Sequence, residues 1–137
     1  LCALPHITIK VYYDIDVVKD YYRDHGIDLE AELRFDPDRD WRFDFTVSDP
    51  NPYIKIAIEV QGGIWTGGAH ARGAGVQRDM QKYSTAASQG WLILLVQPSD
   101  ICMDDTLELV KATVANRQRE IQEVKNDHTN GVEEVGA

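Results

Sequence analysis

Trp91 to Val96 reads W-L-I-L-L-V, an unbroken apolar run of strand length. A half-exposed strand alternates apolar and polar residues, so a continuous run predicts an interior strand covered on both faces. Helices are the usual cover, and the flanking sequence supplies them. Val76, Met80, Tyr83 and Ala87 recur at helical spacing until Gly90, and Leu107, Val110, Val114, Ile121 and Val124 form one stripe over residues 104–125. The chain therefore reads as α/β.

The upstream half follows the same logic. His6 to Tyr13 alternates as a half-buried strand, and Asp14 or Asp16 can cap a helix that carries Val17, Val18, Tyr21 and Tyr22 and stops at Gly26. Leu29 to Phe35 is a short strand ending in the turn Asp36-Pro37-Asp38. Trp41 to Val47 alternates again, with Trp41, Phe43, Phe45 and Val47 expected on one face and Arg42, Asp44 and Thr46 on the other. After the turn Asp49-Pro50-Asn51-Pro52, Ile54, Ile56 and Ile58 share one face of a strand, opposite Lys55, Ala57, Glu59 and Gln61. Six of the ten glycines lie between Gly62 and Gly75, a loop composition.

At 137 residues the chain has room for one core, expected over residues 6–125. Residues 1–5 read as a processing remnant, and residues 126–137 as a polar, acidic tail that frays. No apolar run approaches the roughly 20 residues that span a bilayer, and the opening L-C-A-L-P-H-I lacks the basic and apolar regions of a signal peptide, so a cytoplasmic protein is expected. Cys2 and Cys102 form no ligand or disulfide pattern. The formal charge of −9 argues at first against a nucleic-acid partner.

Asp44 and the pair Glu59-x-Gln61 carry the chemistry. Neighbouring strands joined by a short turn can bring two carboxylates together, and residues two apart in a strand point the same way. Such hard oxygen donors suit Mg²⁺ or Mn²⁺, which polarises a phosphoryl oxygen and lowers the pKa of a bound water. The competing reading places both acids on a solvated sheet face. In the glycine-rich loop, Arg72 can donate to a phosphate, His70 can donate or carry a proton, and Trp65 can stack on a base. No Walker A pattern is present, which removes nucleoside triphosphate binding.

W-R-F-D-F, then E-V-Q-G-G, then G-A-H-A-R-G, then D-M-Q-K-Y, then G-W before an apolar strand resemble, in that order, the small phage and prophage endonuclease-like proteins of the PD-(D/E)xK superfamily. The resemblance covers about Glu30 to Gln97. It implies a restriction-endonuclease-like α-β-β-β-α-β core with a mixed sheet flanked by helices, here with an added N-terminal strand and C-terminal helix. It also implies that Asp44 and Glu59 take the acidic metal-binding positions. Gln61 stands where the superfamily often has lysine, which an amide cannot replace as a cation. Lys82, on the helix after the loop, is the candidate substitute, and Glu32 the candidate for a further metal-binding carboxylate.

The expectation is a metal-dependent DNA endonuclease. Asp44 and Glu59, with the Val60 carbonyl and Glu32, would bind Mg²⁺ or Mn²⁺; Gln61 and Lys82 complete the catalytic set; His70, Arg72, Trp65 and Arg42 would bind substrate. The rival is a nuclease-fold module that binds DNA or protein without cutting, and a carboxylate-pair glycosidase is a third reading. The charge divides along the chain: residues 41–90 carry 5 basic and 4 acidic groups, whereas the two flanks hold the remaining 19 acids. With a divalent ion on Asp44 and Glu59 the site segment becomes cationic, although weak binding by a monomer leaves a homodimer or partner protein open.

Overall fold

The computed structural model describes residues 13–61 and 74–135. The expected first strand and the loop carrying Trp65, His70 and Arg72 lie outside the described residues.

Helix α1 (Ile15–Asp24) starts at Asp14, whose carboxylate accepts the Asp16 and Val17 amides at 2.9 and 3.2 Å. It stops where Gly26 adopts φ +84°, letting the Ile27 amide reach back to Tyr22 O at 2.9 Å. Strands β1 (Leu29–Arg34), β2 (Arg42–Val47) and β3 (Ile56–Val60) follow, then α2 (Ala74–Ser88), β4 (Leu92–Val96) and α3 (Asp104–Val135). The sheet order is β1-β2-β3-β4, antiparallel except for the β3–β4 pair, which is parallel and joined through α2. Mixed sheet and helices match the α/β expectation.

The alternation of β3 divides the core. Ile58 turns to one face, where Phe45, Leu29 and Val96 meet Val18 and Tyr22 of α1 and Leu107 and Val110 of α3. Tyr22 is fully buried, and its hydroxyl donates to Ile101 O at 2.8 Å, which satisfies a phenol that would otherwise be costly there. Ala57 turns to the other face, where Phe43, Ala86 of α2, Phe35 and Trp91 pack together. The Phe35 and Phe43 rings stack at 4.2 Å between centroids.

Four expectations need correction. The apolar run does not form a strand covered on both faces: β4 is the end strand among the described residues, and Leu92 and Leu95 are 40% and 58% exposed, because Leu94 and Val96 meet the α1/α3 core and Trp91 and Ile93 the α2 side. Phe43 and Phe45 do not share a face, since the β2 alternation breaks at Asp44 between them. Helix α2 does not present Val76, Met80 and Ala87 to the core. All three are exposed, and Lys82, Tyr83 and Ala86 form the packed side. Finally, the polar C-terminal segment is helical to Val135, with Gln122–Asn126 and Thr129–Lys125 contacts one turn apart supporting it.

Candidate functional site

Registers explain why the acids meet. Phe45 pairs with Ile58 and Thr46 with Ala57, so one step further Asp44 stands opposite Glu59. On the other side, Ala31–Phe45 and Leu33–Phe43 bracket Glu32 opposite Asp44, and Glu59 itself pairs with Leu95. Three carboxylates thus occupy one cross-strand row, although like charges opposite each other destabilise a sheet. Glu32 also adopts φ +58°, a left-handed conformation unfavourable for a residue with a Cβ. Backbone strain of this kind concentrates at functional sites.

Beyond Phe45–Ile58, side chains take over from the ladder. The Asp44 amide donates to Glu59 Oε2 at 3.2 Å, and the Val60 amide donates to Asp44 Oδ2 at 2.8 Å. Each carboxylate therefore occupies a place where a strand carbonyl would otherwise sit, and holds the ends of β2 and β3 in register. The Gln61 amide instead turns to β4 and donates to Val96 O at 2.7 Å. Because N–H and C=O of one strand residue face the same edge, the Val60 carbonyl opens toward Asp44.

Glu59 is 4% exposed, and Lys82 Nζ donates to its Oε1. The ammonium also lies 5.6 Å from the Phe43 ring centroid and 5.7 Å from that of Tyr83. Burial, and then the neighbouring Asp44, push the Glu59 carboxyl up to about 7, while Lys82 opposes them. The Tyr13 phenol, packed against Phe45, is likewise pushed up to about 12, first by burial and then by the charges of Asp44, Glu32 and Glu59. Burial raises the Tyr83 phenol too, followed by the Glu59 charge. Gln61 Nε2 donates to Tyr83 Oη at 2.7 Å.

Asp44, Glu59, Val60, Gln61 and Lys82 are thus brought together. Glu32 is exposed at the end of the row; among the described residues no three His, Cys, Asp or Glu side chains gather as a cation site. Arg42 is exposed two residues from Asp44 and pairs with Asp40 at 3.4 Å. Tyr13 and Tyr83 were not singled out for the site by sequence. The Tyr83 signal was available, since it follows Lys82 directly. Two carboxylates and a carbonyl edge, all oxygen, fit a divalent cation such as Mg²⁺, which commonly takes one or two protein carboxylates and fills its sphere with water and phosphate oxygens. A cavity of about 460 Å³ lies elsewhere, between Tyr53, Lys55, Gly90 and the Arg117–Lys125 stretch of α3.

No protein-family model, curated protein or solved structure matches the chain.

Proposed function

We propose that the protein is a divalent-metal-dependent DNA endonuclease whose centre is the Asp44–Glu59 pair. One observation carries the reading: Lys82 reaches from α2 onto Glu59, directly across the strand pair from Asp44. A cation beside two acids supplies the positive charge that Gln61 lacks, and this favours a cutting enzyme over the binding module. The order of sequence motifs from Trp41 to Trp91 supports the same class.

In this reading Asp44 and Glu59 would hold Mg²⁺ or Mn²⁺, with the Val60 carbonyl facing the same gap. The bound cation supplies Lewis-acid polarisation of the phosphate and a water of lowered pKa. Lys82 holds the Glu59 carboxylate in place and offers an ammonium to the phosphate oxygens. Gln61, a neutral amide, cannot take a proton at neutral pH but can accept a hydrogen bond from water. Burial of Glu59 keeps solvent from its carboxylate, which strengthens each of these electrostatic contacts. Arg42 lies at the rim, where a phosphate would displace its exposed pairing with Asp40.

Incubating the protein with supercoiled, linear, single-stranded and branched DNA in Mg²⁺, Mn²⁺ or EDTA tests this. Cleavage with metal, lost in EDTA and in Asp44→Ala and Glu59→Ala, is the expected result. Tight DNA binding without cleavage on any substrate would establish the binding module instead.

A further inference from the structure

We infer that Tyr83 is a positioning residue that orients the Gln61 side chain, holding its amide nitrogen against α2 so that its carbonyl oxygen is presented to the water beside Glu59. This rests on the nuclease reading of the Asp44–Glu59 pair and adds to it a residue with a defined task.

The Gln61 amide has two unlike ends, a donor and an acceptor. Gln61 Nε2 donates to Tyr83 Oη at 2.7 Å, a short neutral contact, and its oxygen has no protein donor among the described residues. An amide tied at nitrogen has its acceptor end fixed by planarity. The backbone is anchored as well, because the Gln61 N–H is bonded to Val96 O. Residues 59 and 61 are two apart in an extended segment, so their side chains project to the same side, about 6.6 Å apart along it. Consecutive residues of α2 meet them in turn: Lys82 meets Glu59, and Tyr83 meets Gln61.

The pairing explains two otherwise costly choices. A phenylalanine would fill the space beside Lys82 without burying a hydroxyl, yet the chain keeps a partly buried phenol whose oxygen serves Gln61. A lysine at position 61 would set a second ammonium near that of Lys82. With the charge delivered from α2, position 61 is released to act as an uncharged acceptor. The two tasks that a single strand lysine could combine are divided between Lys82 and the Gln61–Tyr83 pair.

The test uses Tyr83→Phe, Gln61→Ala and the double variant, in the full chain. Side-chain ¹H–¹⁵N spectra report the Gln61 amide without any metal or DNA, and kcat and KM are measured on a cleaved DNA with Mg²⁺. In the wild type the Gln61 amide protons are expected to be shifted and slow to exchange, and Tyr83→Phe to return them to the values of a solvated amide. Loss of one neutral hydrogen bond predicts a fall in kcat of about tenfold, with KM changed by less than about twofold. Tyr83→Phe adds nothing in the Gln61→Ala background if it acts only through the amide. Unaltered Gln61 resonances in Tyr83→Phe, or losses that multiply in the double variant, would overturn the assignment. A wild type that cuts no DNA overturns the nuclease reading and with it the catalytic task of Gln61; the spectra then still decide whether Tyr83 holds the amide.

Discussion

Replacing Asp44 by asparagine should make the protein more stable at neutral and alkaline pH while impairing the proposed site. The starting point is Glu59, whose carboxyl rises from its ordinary 4.5 to about 7, first through burial and then through Asp44. A carboxyl raised on folding binds its proton more tightly in the native than in the unfolded state. Its favourable contribution is therefore complete below about pH 4.5 and is lost as pH rises through about 7. A shift of this size corresponds to about 3 kcal/mol across the window, at roughly 1.4 kcal/mol per unit. Asparagine keeps an oxygen for the Val60 amide, which Asp44 Oδ2 now accepts at 2.8 Å, and removes the charge. Burial, the largest cause, remains, so the gain is the smaller share, about 1 kcal/mol above pH 7. Urea unfolding of both proteins in EDTA between pH 4 and 8.5 measures it. The wild type should lose stability with rising pH more steeply than Asp44→Asn, and the curves should converge at acid pH. Equal slopes, or a variant less stable than wild type at pH 8, would refute the coupling between the two acids.

Two further substitutions probe the surroundings. Lys82→Met removes the ammonium that holds Glu59 down, so its titration should move upward in a side-chain carboxyl NMR titration, and stability above pH 7 should fall by about 3 kcal/mol for a buried charge left unpaired. An unchanged titration would mean that Lys82 does not pair with Glu59 in solution. Phe45→Ala empties a fully buried position between α1, α3 and the sheet and should cost about 3–5 kcal/mol in denaturant unfolding; a loss under about 1 kcal/mol would place Phe45 outside the core.

The elements around the site were legible because their signals are local. Alternation in Ile54–Val60 put Glu59 and Gln61 together, and the glycines at 26 and 90 stop two helices through positive φ values that L-residues avoid. What failed was long-range. Helical spacing identified an amphipathic face on α2, but the sheet selected another: Lys82 is favoured there because Glu59 offers it a buried partner, while Val76 and Met80 are exposed, with no described strand over them. The break between Phe43 and Phe45 falls at Asp44, whose carboxylate accepts the Val60 amide sixteen residues on, a contact that no pattern within β2 encodes. The strain at Glu32 is equally invisible in a chain read one residue at a time.

The most direct test of the central claim is Mn²⁺ binding followed by electron paramagnetic resonance, in wild type, Asp44→Asn and Glu59→Gln. Wild type is expected to bind Mn²⁺ at pH 8, more weakly as pH falls through about 7, where the proton on Glu59 competes with the ion, and both variants to lose binding. Mn²⁺ binding of equal strength in wild type and Asp44→Asn, or affinity that does not change between pH 8 and pH 5, would contradict it.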